Sequence, residues 1–464
     1  MNDGIAAARV IQDLRRLAGG LAPGTRLPSV RELTARHQAS PVTVAAALQV
    51  LAAQGVIETR PGRGTFVAAL SSRPVATPDL SWQTVALGAA PAGDADMAAL
   101  LALPPVGAIP LSGGYLDADL QPAAALGAAL ARAARQPATW QRGPVEGRED
   151  LRAWFAQQSG TGLHAGDMVI CPGGQAALSS ALRALTTPGD TLLVESPTYL
   201  GALAAGRAAG LRVVPVPADA DGVLPDQLAA AFARTRARLF YCQPLHANPS
   251  GATLATNRRE AVAEAVREAG AFLIEDDYAR DLTIDGDPPP PLAADDPDGH
   301  VIYLRSLTKS AAPGLRIAAI GARGPAGARL RAARLLDDFF VAGPLQQATV
   351  EFVTAPAWPR HLRHLRTALR TRREALLSAL TRHLPELLPP SIPRGGLHLW
   401  PRLPDGTDDV AVAAAAAAQG VIVFPGRPWF PAEPPSPHLR LTYAASPPDQ
   451  MDEAIHRLSQ AFPR

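Results

Sequence analysis

Residues 306–316 read SLTKSAAPGLR and contain Lys309, the only lysine in a chain of 464 residues. The other 43 basic residues are all arginines. Arginine can replace lysine wherever only positive charge matters, but a guanidinium cannot form a Schiff base and an amine can. Lys309 is therefore a candidate for covalent chemistry with a carbonyl compound. Chance retention of one surface lysine is the alternative explanation.

From about residue 109 onwards, helical stretches alternate with short β-rich runs on both sides of Lys309. These runs are MVICPGG, TLLVESP, RVVPVP, RLFYCQP, AFLIEDD and VIYLRS. The alternation predicts an α/β domain over residues 109–464. A long Arg-rich helix near residue 360, followed by GGLHLW, GVIVFPG and HLRLTYA, indicates a smaller α+β subdomain, which we place mainly from about residue 345.

Residues 1–68 have a different pattern, which predicts a helix, then a helix-turn-helix, then a β-hairpin wing. Apolar residues at helical spacing in the first 20 residues end at a glycine pair. Ser29 can cap a helix through Arg36, and Ser40 can cap a second helix to about Gln54. The runs VIETR and GTFVA then read as two strands around the turn at residues 61–64.

Residues 69–108 are rich in Ala, Pro, Ser and Asp and have weak periodicity, which predicts a linker with one short helix. The chain lacks an apolar run of about 18 residues and a signal-like N-terminus, so we expect a cytoplasmic protein without a membrane span. Cys171 and Cys242 are too few for a disulfide framework and are not spaced as metal ligands. We expect buried free thiols and no metal site.

Charge is distributed unevenly along the chain. The net charge is +2, but residues 1–70 contain eight Arg and four acidic residues, so they carry +4 and the remainder carries −2. A local surplus of Arg suits a DNA-binding module, although a solvated basic face would give the same count.

The segment from Gly24 to Val67 resembles the GntR-type winged helix through GTRLPSVREL, SPVTV, QGVI and RPGRGTFV. The resemblance implies that the helix after Ser40 lies in the major groove and that the hairpin approaches the minor groove of double-stranded operator DNA. The implied DNA contacts are Arg31, Ser40, Val42, Thr43, Arg60, Gly62, Arg63 and Gly64.

Two positions depart from that family, which commonly has Arg where this chain has Pro41 and Ala45. Fewer charged contacts weaken electrostatic affinity, so we expect tight binding only by a dimer on paired sites. A winged helix that mediates only protein contacts is the alternative.

Residues 109–464 resemble class I, fold-type I aminotransferases, which use pyridoxal 5′-phosphate (PLP). The resemblance implies that Lys309 forms the internal aldimine and that Ser306 and Arg316 bind the cofactor phosphate. In CPGGQAAL, Gly174 and Gln175 stand at a strand-to-helix junction, where free amides form an anion site.

Five further residues complete the resemblance. Asp276 in IEDDY is the implied partner of the pyridine nitrogen. Tyr278 and Asn248 would hydrogen-bond the ring's phenolic oxygen, Tyr199 would stack on the ring, and Arg440 in HLRLTY would receive a substrate carboxylate. Taken singly, most have an ordinary structural alternative: Asp276 as a helix cap, Tyr199 and Tyr278 as core aromatic residues, and Arg440 as a surface ion pair.

Two further residues stand near these motifs. Trp140 stands where the family usually has a tyrosine that reaches the partner subunit's phosphate, and its indole N–H can still donate one hydrogen bond. His246 could touch the site, but the expectation is a core histidine with satisfied hydrogen bonds.

The two resemblances together are typical of the MocR/GabR family of bacterial regulators. They imply a head-to-tail homodimer in which a small amine or amino acid displaces Lys309 by aldimine exchange and changes DNA binding. Two alternatives stay open: a working aminotransferase with an accessory DNA-binding domain, and a sensor that responds to PLP itself. The effector, the operator and the direction of regulation carry no readable motif.

Overall fold

The computed structural model describes residues 3–68, 79–87, 95–160 and 162–462. The chain divides into two compact units, Met1–Ala90 and Pro91–Arg464. Among the described residues, none of the helices combines the length and the apolar composition that a membrane span requires.

The first unit contains the predicted helix, helix-turn-helix and hairpin. Its elements are α1 (Asp3–Gly19), α2 (Val30–His37), α3 (Pro41–Ala53), β1 (Ile57–Arg60) and β2 (Gly64–Val67). The two strands pair in antiparallel register.

Side-chain caps determine where the helices of the first unit begin. The Ser29 hydroxyl accepts from the Glu32 amide, and the Glu32 carboxylate accepts from the Ser29 amide, which makes a capping box for α2. Ser40 caps α3 by accepting from the Thr43 amide at 3.1 Å. Behind these caps, apolar side chains of all three helices and both strands form one small core.

The segment predicted to be a linker with one short helix contains two helices among its described residues, α4 (Ser81–Leu87) and α5 (Ala95–Leu101). Both are short, and α5 belongs to the second unit. The rest of the predicted linker includes residues 69–78 and 88–94, which lie outside the described residues.

The second unit alternates helices and strands as predicted. Its remaining helices are α6 (Ala123–Ala133), α7 (Glu149–Ser159), α8 (Gly174–Leu185), α9 (Leu200–Ala208), α10 (Pro225–Thr235), α11 (Thr256–Glu268), α12 (Gly324–Asp338), α13 (Gly343–Val353), α14 (Ala357–His383), α15 (Asp409–Ala418) and α16 (Met451–Ser459). Its strands are β3 (Ile109–Pro110), β4 (Met168–Cys171), β5 (Thr191–Ser196), β6 (Arg212–Asp219), β7 (Gly222–Val223), β8 (Leu239–Cys242), β9 (Phe272–Asp276), β10 (Val301–Ser306), β11 (Ala318–Gly321), β12 (His398–Leu399), β13 (Val421–Ile422), β14 (Phe424–Pro425) and β15 (Leu439–Thr442).

Eight of these strands form the main sheet, in the order β4-β11-β10-β9-β8-β5-β6-β7. Strands β10, β9, β8, β5 and β6 are parallel, while β11 runs antiparallel to both of its neighbours. Strands β4 and β10 therefore run in the same direction. Apolar residues cover both faces of the sheet, as is typical of buried parallel strands.

The smaller subdomain has its own core around the sheet β12-β15-β14. Its boundary differs from the predicted position near residue 345, because α13 and the first turn of α14 pack into the core beside the main sheet through Phe352 and Trp358. Along α14 the small core begins at Leu365. Strand β3 also joins it, by pairing in parallel with β13.

Candidate functional site

The carboxyl ends of the parallel strands bring the sequence-predicted residues of the second unit to one edge of the main sheet. Gly174 follows β4, Tyr199 follows β5, Asn248 follows β8, Asp276 ends β9 and Ser306 ends β10. In open α/β sheets this edge is the usual position for a ligand.

Lys309 lies three residues beyond the end of β10. Burial, and after it the charges of Arg440 and Arg316, lower the pKa of its amine from 10.5 to about 7, against an opposing effect of Asp276. The Nζ atom lies 3.7 Å from the centroid of the Tyr115 ring. A substantial fraction of this amine is therefore uncharged near neutral pH, which is the form that attacks a carbonyl.

Asp276 is a buried carboxylate with two hydrogen bonds, both to Oδ2. The Tyr241 hydroxyl donates at 2.6 Å and the Gln243 side-chain amide donates at 2.8 Å. Burial raises the pKa of Asp276 to about 6, while these two hydrogen bonds act to lower it. No hydrogen bond reaches Oδ1 in the part of the chain that the structure describes, so this oxygen can accept from a ligand.

Gly173, Gly174, Ser306 and Arg316 form a small anion cradle at the start of α8. A Cβ atom on Gly173 would collide with the Arg316 guanidinium, and a Cβ on Gly174 would lie 3.7 Å from the Ser306 Oγ. Arg316 also donates to the Pro172 carbonyl at 3.0 Å. A guanidinium, a hydroxyl and the free amides of a helix N-terminus are suitable donors for a phosphate group.

Arg440 is almost fully buried and has no carboxylate partner among the described residues. It donates to the Asn248 side-chain oxygen at 3.2 Å and to the Ser112 carbonyl, and its Nε atom has no partner in the part of the chain that the structure describes. Its guanidinium carbon lies 4.4 Å from the centroid of the Trp429 ring. Burial lowers the pKa of Arg440 to about 9. An uncompensated buried cation of this kind favours an anionic ligand.

Lys309 and Arg440 both lie close to Gly114, on the side of its α-carbon where a side chain would begin. A Cβ atom on Gly114 would lie 3.6 Å from the Lys309 Nζ and 4.0 Å from the Arg440 Nη1. A small molecule with a reactive amine and a nearby anionic group can therefore reach both residues.

Two other predicted residues are hydrogen-bonded within the chain. The Tyr278 hydroxyl donates to the His246 carbonyl at 2.7 Å, so it cannot also donate to a cofactor in this arrangement. The Gln175 amide donates to the Gly201 carbonyl at 2.9 Å, while its buried Oε1 has no partner among the described residues. Tyr199 is half-buried next to Gln175, at the start of α9.

The structure changes the interpretation of Trp140 and supports that of His246. The Trp140 indole N–H, expected to be available for a partner subunit, donates to the Ala134 carbonyl at 2.9 Å. That contact consumes the only donor of the indole. His246 is buried and lies 3.0 Å from the Thr283 hydroxyl, and burial lowers its pKa to about 4, as expected for a neutral core histidine.

In the first unit, α3 presents Ser40, Pro41, Val42 and Ala45 on its exposed face, with Val42 78% exposed. Thr43 differs from the predicted DNA contact, because it is 6% exposed and lies among the buried residues of α3. Its hydroxyl lies 2.7 Å from the Ser40 hydroxyl. Helical geometry turns residue 43 inward, so Thr43 stabilises the cap rather than facing a groove.

The hairpin has the shape expected of a wing. Gly62 and Gly64 have φ angles of 71° and 109°, which the tight turn requires, and Arg63 is exposed at its tip. Arg60 is less available, because it pairs with Glu58 and lies over the ring of Phe66. Arg31 is exposed in the first turn of α2.

Sequence reasoning missed several residues that complete the site. They share a position around Lys309, Asp276 or Arg440, and they are Gly114, Tyr115, Tyr241, Gln243 and Trp429. The residue pair at 114–115 lies almost 200 positions before Lys309, and only folding brings the two segments together.

Family models match both parts of the chain. Residues 111–458 match the model of aminotransferase class I and II, and residues 6–67 match that of bacterial regulatory proteins of the gntR family.

Similar proteins include regulators and enzymes. The chain is 28% identical to the probable rhizopine catabolism regulatory protein MocR of Rhizobium meliloti, over 96% of this chain and 91% of that protein. It is 27% identical to the HTH-type transcriptional regulator YdfD of Bacillus subtilis, over 94% and 91%. The structure of LysN, the α-aminoadipate aminotransferase of Thermus thermophilus, matches with a TM-score of 0.73 and 30% identity, over 77% of this chain and 92% of that one. That structure contains N-(5′-phosphopyridoxyl)-L-leucine.

The residues at the sheet edge fit the cofactor of this family, PLP. The anion cradle of Arg316, Ser306 and Gly174 suits its phosphate, the free Oδ1 of Asp276 suits its protonated ring nitrogen, and Lys309 suits its aldehyde. The chain therefore belongs to the class I and II aminotransferases, and it is a MocR-type transcription regulator in which a gntR-family DNA-binding domain precedes a PLP-dependent aminotransferase domain.

Proposed function

We propose that the second unit holds PLP on Lys309 and binds a small amine or amino acid, and that occupancy of this site changes the affinity of the first unit for operator DNA. The observation that carries the proposal is the position of Gly114, because a Cβ there would lie within 4.0 Å of both the Lys309 amine and the Arg440 guanidinium. This arrangement supports a ligand that carries an amine and a carboxylate close together, as an amino acid does.

Each residue at the sheet edge has a proposed task. When bound, PLP supplies an aldehyde that reacts with amines and a ring that withdraws electrons. Arg316, Ser306 and the first amides of α8 hold the phosphate, and Asp276 keeps a proton on the ring nitrogen. Tyr199 covers the ring face.

The low pKa of Lys309 also gives this residue a task in ligand exchange. An amino acid arrives with a protonated amine, which must lose a proton before it can react. While PLP is bonded to the Nζ of Lys309, this nitrogen is not a free amine, so the ligand loses its proton to solvent. Once a ligand has displaced Lys309, the low pKa leaves the freed amine uncharged and able to act as a base. Arg440 orients the ligand through its carboxylate.

For the first unit we propose that α3 enters the major groove with Ser40 and Val42 foremost. Arg31 and Arg63 contact phosphates, and Gly62 and Gly64 allow the wing to approach the DNA closely. The exposed face of α3 carries no charged residue at positions 40–42 and 45, so one unit alone binds weakly. A head-to-tail homodimer in the cytoplasm, binding paired sites, is therefore part of the proposal.

Turnover as an aminotransferase is a second candidate function. Its support is the combination of Lys309 with an ionisable Asp276, together with 30% identity to LysN, which is an aminotransferase. Repeated conversion of a 2-oxo acid would favour this function, whereas a single exchange without release of product would favour sensing.

The test combines covalent trapping with DNA binding. The protein is incubated with PLP and borohydride, and peptide mass mapping locates the adduct, which we expect on Lys309 and which Lys309→Arg should abolish. Operator affinity is then measured for apo protein, for PLP-loaded protein, and for loaded protein with amino acids. A change only on addition of an amine supports the proposal, a change with PLP alone indicates a cofactor sensor, and no adduct overturns it.

A further inference from the structure

Gln243 lies between two groups of the candidate site and has no role in the function proposed so far. It follows β8 directly and is 3% exposed. Its side-chain Nε2 donates to the Asp276 Oδ2 at 2.8 Å, and its Oε1 accepts from the Asn248 main-chain N–H at 2.9 Å. Both ends of this amide are therefore used, on partners from two different segments.

These two contacts determine the orientation of the amide. A 180° flip would place the NH₂ group against the Asn248 N–H and the oxygen against the Asp276 carboxylate, so that two donors and two acceptors would face each other. Either mismatch leaves a buried polar group without a partner, which is costly. The orientation of Gln243 is therefore tied to both neighbours at once.

The main chain of Gln243 is held as well. Its N–H donates to the Glu195 Oε2 at 2.8 Å, and Glu195 is itself buried at the end of β5. The main chain of Gln243 is thus held to the sheet. Its side-chain amide is the part that can respond to movements of Asp276 and Asn248.

Asn248 extends the contacts to the smaller subdomain. Its side-chain oxygen accepts from the Arg440 Nη1 at 3.2 Å, and Arg440 stands on β15. Three hydrogen bonds therefore connect Asp276, Gln243, Asn248 and Arg440, with Gln243 bonded to the main chain of Asn248 and Arg440 bonded to its side chain. One end is the carboxylate assigned to the ring nitrogen, and the other is the guanidinium assigned to the ligand carboxylate.

We propose that Gln243 is a positioning residue that couples the occupancy of Arg440 to the binding of PLP at Asp276. The inference rests on the proposed function, since it takes the roles of Arg440 and Asp276 from it. A ligand carboxylate competes with Asn248 for the Arg440 guanidinium, because a bidentate bond between two charged groups is stronger than the single bond from the guanidinium to a neutral amide. Asn248 then moves, which alters its hydrogen bond to the Gln243 side chain. The hydrogen bond from Gln243 to the Asp276 carboxylate changes as a result.

The experiment measures this coupling without any reaction. PLP affinity is determined by visible absorbance for the full-length wild-type protein, with and without saturating succinate, a dicarboxylate that has no amino group. Coupling between binding sites is reciprocal and typically amounts to 5- to 150-fold. We expect succinate to change the PLP affinity of the wild type by about 5-fold or more.

Two variants assign the effect to the amide. In Gln243→Leu, which has neither donor nor acceptor, the succinate effect should fall to about 2-fold or less, the remainder being direct electrostatic interaction between the two ligands. Gln243→Glu retains the acceptor for Asn248 but loses the donor to Asp276, and it should also lose the effect. The matched control is Gln347→Leu, which removes an amide bonded to Glu351 on α13 and should behave as wild type.

The outcomes distinguish a failure of the proposed function from a failure of the role proposed for Gln243. A wild type that does not bind PLP overturns both the proposed function and the coupling. A wild type that binds PLP and responds to succinate, with an equal response in folded Gln243→Leu or Gln243→Glu protein, overturns only the role of Gln243. Circular dichroism establishes folding, and Gln243→Glu decides the result if the leucine variant does not fold.

Discussion

The Lys309 Nζ lies 3.7 Å from the centroid of the Tyr115 ring, close enough for a cation–π interaction with the ammonium form. This contact favours the charged amine, whereas burial and two neighbouring arginines favour the neutral one. The reactivity of the only lysine in the chain therefore depends on the balance between its charged and neutral forms, and Tyr115 favours the charged form.

Replacing Tyr115 by leucine should shift this balance. The ring contributes roughly 0.5–1 kcal/mol to the ammonium form, and one pKa unit corresponds to about 1.4 kcal/mol. We expect the pH midpoint for reaction of Lys309 with PLP, followed by visible absorbance, to fall by about half a unit in Tyr115→Leu. Tyr115→Phe keeps the ring and should match the wild type. Equal midpoints in all three proteins would contradict the prediction.

Arg440→Lys should separate ligands by whether they carry a carboxylate. Lysine keeps a positive charge but cannot make the same forked contact. A hydrogen bond to a charged group contributes roughly 1.5–3 kcal/mol, so carboxylate-bearing amines should bind about 10- to 100-fold more weakly. Titrations with the corresponding decarboxylated amines provide the control, and their affinity should be unchanged. A similar loss for both classes of ligand would show that Arg440 has a general structural role.

Three buried carboxylates should make the apo protein less stable as pH rises. Burial raises the pKa of Asp276 to about 6 and those of Glu195 and Glu275 to about 7. Between the ordinary and the raised pKa values these three groups bind more protons in the folded chain than in the unfolded chain, so their contribution to the free energy of unfolding falls with increasing pH. The favourable contribution is present below about pH 4 and is lost by about pH 7.

Urea unfolding of apo protein across this range measures the effect. Glu195→Gln should make the fall shallower, because glutamine accepts from the Gln243 amide without titrating. Glu374→Gln, at an exposed position of α14, is the control. Equal pH dependence of wild type and Glu195→Gln between about pH 5 and pH 7 would refute the assignment, because the opposite contribution of His246, whose pKa is lowered by burial, is the same in both proteins.

Arg63→Ala should weaken DNA binding in a salt-dependent way. Arg63 stands exposed at the tip of the wing, where we propose a phosphate contact. Loss of one such contact reduces the slope of log affinity against log salt concentration by about 1, and it lowers affinity equally for operator and unrelated DNA. Arg234→Ala removes an exposed arginine of α10 and should leave binding unchanged. A loss confined to operator DNA would instead indicate base recognition by Arg63.

Much of this site was predictable because it follows local rules. Asp276 and Ser306 stand at the ends of apolar strands, Gly174 stands shortly after one, and Lys309 is conspicuous by composition alone. The two helix caps of the first unit were also readable, since a serine at the right spacing satisfies free amides.

Other parts depend on three-dimensional geometry that no local pattern contains. The exposed side of α3 follows from packing against α1, so the burial of Thr43 could not be derived from its position after the cap. Tyr278 and Trp140 have polar groups whose partners are main-chain carbonyls, and any residue can supply such a carbonyl. The joining of β3 to the smaller subdomain requires a pairing across about 300 residues.

Because Lys309 is the only lysine and lies half-buried at the sheet edge, its side chain can serve as a spectroscopic probe of the site. Isotope-labelled lysine supplied during expression would produce a single side-chain signal in an NMR spectrum, without any assignment step. That signal originates at the place where cofactor and ligand meet. Occupancy, protonation and exchange at this one nitrogen could then be followed in the intact protein while DNA is bound.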